Sequence, residues 1–318
     1  MRNFWRKLKK PFFCLAPMAD VTDYPFRQII AKYGKPDVFW TEFTSADGLC
    51  SVGKKKLLIN FKFSKNEHPI VAQIFGSKPE NIKKASALCQ KMGFDGVDIN
   101  MGCPDRSVER QNSGAKMIGN FKLVEEIIKA AKVGAPKLPI SVKTRIGYSK
   151  VEIDTWIPFL LEQNISALTV HLRTRKEMSK VPAHWEYAKK IVELRDKSGK
   201  DTLIIFNGDV VDLEDAKQKA KESGCDGVML GRAIFGNPLL FSELGSKAQH
   251  ISRKLKILVE HTKLFEKHLG KHKNFAVMKK HFKAYVNGFD GAKELRVKLM
   301  AAKNAIEVKL AVDNFLKS

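Results

Sequence analysis

The sequence predicts an α/β fold: a (β/α)8 TIM barrel over residues 1–241, then a small all-helical region over 242–318. Three observations carry that expectation. Eight short β-rich runs alternate with longer segments whose apolar residues recur at three and four. Polar and titratable residues collect where those runs end, the rim at which a barrel builds its site. After Phe235 the strand-like runs stop, Pro238 being the last proline. A chain of 318 residues also exceeds what one hydrophobic core usually organises, which suits a barrel with an appendage.

In chain order, strands are expected at 12–17, 38–42, 70–75, 96–101, 140–144, 167–171, 203–207 and 227–231. Helices are expected between most of them, at 80–92, 123–133, 153–163, 185–194 and 213–223. Several open with starting residues, such as Ser77-Lys78-Pro79 and Asp212 before Leu213. The lysine-rich stretch 51–68 reads as a loop or hairpin. Beyond 242, helices are expected at 252–269, 275–289 and 292–304, followed by a short tail, with Gly270, Gly288 and Gly291 at the breaks.

Charge is the strongest bulk signal. The 57 Lys and Arg against 34 Asp and Glu give +23, which favours a polyanionic partner. From Phe241 onward 17 basic residues face 7 acidic ones, and five of the eight histidines (His250, His261, His268, His272, His281) fall there. These histidines form no metal-binding constellation and read as solvated. Around Lys279-Lys280, cations beside Phe275, Phe282 and Tyr285 suit a helix with one face inward and the other meeting phosphates. The five scattered cysteines include no Cys-x-x-Cys pair, so neither a disulfide framework nor a structural zinc is expected. Cys14, Cys89 and Cys225 read as packing residues. No apolar run approaches the ~20 residues of a membrane span, and no signal peptide is read, so the expectation is a cytoplasmic protein.

The most informative stretch is Asp98-Ile99-Asn100-Met101-Gly102-Cys103-Pro104: a buried strand that delivers a thiol to the rim on a mobile-looking loop, 102–114. Cys103 suits a nucleophile or a general acid, and no adjacent residue activates it. Lys143, at the end of strand five, places a cation where it could stabilise a reduced flavin ring or an enolate. Gln73 and Asn207 offer amides to a heterocycle edge, and His171 a contact to phosphate or ring. The loops Asn207-Gly208-Asp209 and Gly231-Arg232-Ala233 follow strands seven and eight, where barrels commonly hold phosphate.

These residues together resemble the dihydrouridine synthases, flavin enzymes that reduce uridine in RNA. The resemblance runs over nearly the full length. It is carried by Leu15-Ala16-Pro17-Met18-Ala19-Asp20, Asn100-Met101-Gly102-Cys103-Pro104, Ser141-Val142-Lys143-Thr144-Arg145, His171-Leu172-Arg173-Thr174 and the two glycine loops, in order. The resemblance implies that Pro17, Met18 and Ala19 lie against FMN, that Gln73 and Lys143 bind its ring edge, and that His171 helps close the site. Asn207, Gly208, Asp209, Gly231 and Arg232 would hold the phosphate. Asn100 would position the target base, and Arg145 and Arg173 at the rim are further candidates for substrate contact. Cys103 would protonate C5 of uracil while hydride reaches C6, NADPH being the reductant. The partner would be tRNA, gripped by the helical region of a monomer.

One stretch departs from the family pattern. After Thr174 the chain reads Arg175-Lys176-Glu177-Met178-Ser179-Lys180-Val181-Pro182-Ala183-His184-Trp185, keeping the Trp but placing His184 where Asp is expected. Arg173, Arg175 and Lys180 are RNA-contact candidates there by charge and location alone. The sequence also admits two other readings: a flavin barrel acting on a free pyrimidine, like the dihydroorotate dehydrogenases, and a non-catalytic RNA-binding protein.

Overall fold

A computed structural model describes residues 3–242 and 250–317. Among the described residues nine parallel strands form one sheet: β1 (Phe12–Leu15), β2 (Phe39–Trp40), β3 (Thr44–Ser45), β4 (Ile70–Phe75), β5 (Gly96–Met101), β6 (Ile140–Arg145), β7 (Ala167–His171), β8 (Leu203–Asn207) and β9 (Gly227–Leu230). Their order is β1-β9-β8-β7-β6-β5-β4-β2, with β3 also on β4. A parallel bridge from Cys14 to Val38 joins β1 to the second stave, which closes the barrel.

The helices, in chain order, are α1 (Tyr24–Tyr33), α2 (Ala46–Leu49), α3 (Lys54–Leu57), α4 (Pro79–Met92), α5 (Arg106–Glu109), α6 (Phe121–Gly134), α7 (Ile153–Glu162), α8 (Ala188–Ser198), α9 (Leu213–Ser223), α10 (Ile251–Leu269), α11 (Met278–Tyr285), α12 (Ala292–Ala301) and α13 (Ala305–Lys317). Among the described residues no helix is long and apolar enough to cross a membrane.

Five details differ from the sequence expectation, one being that residues 305–317, expected as a short tail, form α13 and bury Val308 and Val312. The second stave is two short strands rather than one. The Gln73 backbone N–H is bound by the Thr41 hydroxyl at 3.1 Å in place of a ladder carbonyl, so pairing lapses before it resumes at Thr44–Ile74. Residues 51–68 hold no hairpin. They coil into α3 and two 3-10 turns, Leu58–Phe61 and Lys65–Glu67. This stretch is tied down by the fully buried pair Arg27–Glu67 at 2.6 Å. The 102–114 loop is built rather than loose: Asp105 caps α5, and the Ala115 N–H donates to the Cys103 carbonyl at 2.9 Å.

The fifth difference concerns histidines. His261 and His281 are fully buried, not solvated, because the inner faces of α10 and α11 close on α1. His261 stacks on Phe26 at 4.8 Å, and its ring meets His281 edge-on at 4.6 Å. Lys32 and Tyr33 of α1 both bond Glu260 of α10, so the last helices share the barrel's core cluster. The outer face of α11 leaves Lys279, Lys280 and Lys283 exposed, while Met278, Phe282 and Tyr285 point inward.

Burial pushes the His281 imidazole down to about 3, and burial with the His281 charge pushes His261 well below the ordinary range. The unfolded chain takes up these protons near pH 6.5, whereas the folded pair does not. Their contribution is therefore complete above about pH 6.5 and is lost as pH falls, by about 1.4 kcal/mol per pH unit for each ring. Denaturant unfolding between pH 7.5 and 5 will show a shallower acid loss in His281→Leu than in the wild type, by about that slope. Equal slopes would contradict the assignment.

Candidate active site

The C-terminal ends of the strands surround a cavity of about 320 Å³, within the range of small-molecule sites. All the site residues expected from sequence line it, Ala19 excepted. The sequence reading missed Phe43, which follows the broken stave, and Met178 and Ser179, which lie in the stretch that departs from the family pattern.

A buried hydrogen-bond chain sets the thiol's position. The Asp98 carboxylate, wholly inside the barrel, accepts from the Ser141 hydroxyl at 2.6 Å and from Gln73 Nε2 at 2.7 Å. Gln73 Oε1 then accepts from Asn100 Nδ2 at 3.0 Å. That leaves Asn100 Oδ1 to accept the backbone N–H groups of Gly102 at 3.1 Å and Cys103 at 2.9 Å. Because an ionised carboxylate only accepts, the direction of every amide in the chain is fixed from Asp98 outward. Burial raises Asp98 to about 6, against the bonds from Ser141 and Gln73, so it is charged at neutral pH. Most of the Asn100 amide thus holds the Cys103 turn, which makes Asn100 a residue that aims the thiol.

Arg145 and Arg173, expected to reach substrate, are nearly buried. Arg145 donates to the carbonyls of Gly102 at 2.8 Å, Thr174 at 3.1 Å and Met178 at 3.2 Å, which clasps the Cys103 turn to the loop over the cavity. Arg173 pairs with Asp209, donates to the Val181 carbonyl at 2.7 Å and meets His171 Nε2 at 3.1 Å. Guanidinium can only donate, so His171 Nε2 accepts. Burial and the surrounding charges of Arg145, Lys143, Arg173 and Arg232 push His171 well below its ordinary range, so the ring is neutral with its proton on Nδ1.

The loop from 175 to 184 is anchored as well. Arg175 pairs with Glu109 of α5 and lies over the Tyr148 ring, so it is engaged within the fold. His184 bridges Glu177 and Glu186, each at 2.9 Å, and the bond to Glu177 raises its pKa despite burial. Trp185 Nε1 donates to the Gly208 carbonyl at 2.9 Å.

Asp209 is not suited to hold phosphate through its side chain, because its carboxylate carries the same sign. It instead accepts from Arg173 and, at 2.6 Å, from Arg232, which steadies a guanidinium that stays largely exposed. Gly208 has φ +137°, and a Cβ there would lie 2.8 Å from the Ala183 methyl, so only glycine fits this close approach.

Lys143 is half-buried and lines the cavity. Burial and then the Arg145 charge lower it to about 8, against the pull of Asp98, so it is charged at neutral pH. The hydrogen bond that the described residues give it runs to Asn207 Oδ1 at 3.3 Å. An ammonium so lightly held and facing a cavity fits an electron-rich ring edge. The apolar Pro17–Met18 surface opposite and the Gly231 backbone, where a Cβ would meet nothing closer than 3.7 Å, leave room for a flat ring and its phosphate. The residues present fit a phosphorylated flavin.

Burial raises the Cys103 thiol, and the nearby charges of Arg145 and Lys143 do not reverse this. The group is therefore a protonated thiol at neutral pH, suited to giving a proton rather than attacking. Alkylation of Cys103 by iodoacetamide, followed by mass spectrometry, will keep rising with pH past the ordinary thiol value of about 8.5. A plateau reached by pH 7 would contradict this.

Comparison with known proteins accords with this geometry. The family model described as dihydrouridine synthase matches residues 14–318. Over 317 residues the chain is 44% identical to a Bacillus subtilis protein named "Probable tRNA-dihydrouridine synthase 2", covering 98% of this chain and 96% of that one. It is 43% identical to a "Probable tRNA-dihydrouridine synthase" of Staphylococcus aureus, covering 98% and 95%. Among solved structures, an old yellow enzyme homologue from Zymomonas mobilis superposes with a TM-score of 0.52 at 14% identity, over 76% of this chain and 89% of that one, a likeness of fold. By its motifs, its barrel and a match that spans nearly its whole length, the chain belongs to the dihydrouridine synthase family.

Proposed function

We propose that this protein reduces uridines in tRNA to 5,6-dihydrouridine, with FMN as cofactor, NADPH as its reductant and Cys103 as the general acid. The observation that carries the reading is the Cys103 thiol, on a turn held by Asn100, in the same cavity as Lys143 and the two glycine loops. Reduced flavin, when bound, supplies the hydride that uracil takes at C6. Cys103 supplies the proton that C5 then needs, and the thiolate left behind lies near Arg145 and Lys143, whose charges favour it.

Lys143 and Gln73 would hold the polar edge of the ring, Pro17 and Met18 its face, and Gly208, Gly231 and Arg232 its phosphate. Asp209 keeps Arg232 in place for that role. Asn100 fixes the turn on which Cys103 sits.

A uridine in folded RNA must leave its stack to enter such a cavity, at about a few kcal/mol. The exposed Lys279, Lys280 and Lys283 offer phosphate contacts that offset this cost. Lys280 also acts electrostatically on Asp20 at the rim, so this basic face adjoins the barrel mouth. A free pyrimidine needs no such face, which disfavours the small-molecule reading.

Purified protein given FMN, NADPH and unmodified tRNA will form dihydrouridine, detected by mass spectrometry of the nucleosides. Cys103→Ala will lower the rate about 10²–10⁴-fold while FMN stays bound. Full activity in that variant would sink the general-acid role, and no dihydrouridine from the wild type would sink the function.

A further inference from the structure

Lys273 belongs to the same basic stretch as Lys279 and Lys280, yet its side chain is largely buried. It follows α10 directly: its backbone N–H and that of His272 both return to the Leu269 carbonyl, at 2.8 and 2.7 Å. Its side chain turns into the barrel rim, where Nζ donates to Asp20 Oδ1 at 2.8 Å and to both Glu42 oxygens, at 3.1 and 3.2 Å. Only 15% of that side chain and 5% of Glu42's are exposed.

The two carboxylates sit on the segments that build one wall of the cavity. Asp20 is the apex of a tight turn, with φ +55°, closed by Thr22 N–H on the Met18 carbonyl at 3.0 Å and by Met18 N–H on Thr22 Oγ1 at 2.9 Å. Pro17 and Met18 at the start of this turn line the cavity, as does Phe43 immediately after Glu42. The Asp20 N–H also donates to Glu42 Oε1, at 2.5 Å. One ammonium from the helical region therefore lies between the first two staves at the site.

The acidic groups here cannot hold this shape alone. Asp23, which caps α1, is fully buried, and its pKa is pushed up to about 7 by burial and by the Glu42 charge. Without a cation, Glu42, Asp20 and Asp23 would repel one another in a poorly hydrated pocket. The exposed Lys280 reaches Asp20 electrostatically without bonding it, so it does not replace the contact.

We propose that Lys273 is a positioning residue for the cofactor site: held between Asp20 and Glu42, it fixes the turn that presents Pro17 and Met18 to the flavin. This rests on the flavin reading above. The placement of the helical region and the affinity for cofactor are then linked through one side chain.

The test is FMN binding to full-length apoprotein, followed by flavin fluorescence and by circular dichroism of the bound flavin's visible bands. Wild type is expected to bind. Lys273→Met should raise the FMN Kd by about tenfold and alter the visible circular dichroism, and Lys273→Arg should recover most of both. If Lys273→Met does not fold, Asp20→Asn removes the same tie at a half-exposed carboxylate and should shift the Kd in the same direction. A merely structural Lys273 would lower the melting temperature of the apoprotein and leave Kd and spectrum at wild-type values. That result overturns the inference while leaving the flavin reading intact. Wild type that binds no FMN overturns the flavin reading, and this inference with it.

Discussion

One buried carboxylate orders this site. Asp98 can only accept hydrogen bonds, and its two oxygens are taken by Ser141 and Gln73. From that single fact the orientation of Gln73, then of Asn100, then of the turn bearing Cys103 follows. The strands fix the spacing, since Gln73 and Asp98 are register partners on β4 and β5, as are Asn100 and Lys143 on β5 and β6. The thiol's aim is therefore a property of the barrel's interior, not of its loop alone.

Around that chain the cavity gathers four cations of different duty. Arg145 and Arg173 are bound to carbonyls and to Asp209 and act as walls. Lys143 and Arg232 retain reach toward a ligand. Burial, with the concentrated positive charge, keeps His171 neutral, and burial keeps Cys103 protonated. Such a site favours an anionic, electron-rich cofactor and a proton donor together. The helical region contributes Lys273 to the opposite wall, so the basic appendage and the redox site are parts of one structure.

Much of this was legible in the sequence, for identifiable reasons. Buried parallel strands announce themselves as apolar runs, and the polar residues that end them must lie on one rim, so the cavity lining was readable from 17 to 232. What pattern cannot supply is the partner across the fold. Asp20 and Lys273 lie 253 positions apart, and nothing local to Lys273 separates it from its exposed neighbours Lys279 and Lys280. His261 and His281 looked solvated for the same reason: their burial comes from packing on Phe26, not from their own surroundings in sequence. Arg145 and Arg173 read as substrate contacts because charge at a rim suggests a ligand, whereas backbone carbonyls of the neighbouring loops had already claimed them. The broken second stave has a local cause, the Thr41 hydroxyl replacing a ladder carbonyl, but a threonine in a β-rich run gives no warning of it.

The central claim is that Cys103 gives a proton rather than attacking the base. The most direct measurement is the pH dependence of single-turnover dihydrouridine formation by prereduced protein on unmodified tRNA. A proton donor predicts a rate that is level near neutral pH and falls above the ordinary thiol range of about 8.5. A rate that climbs with pH through that range, as a thiolate nucleophile requires, would contradict it.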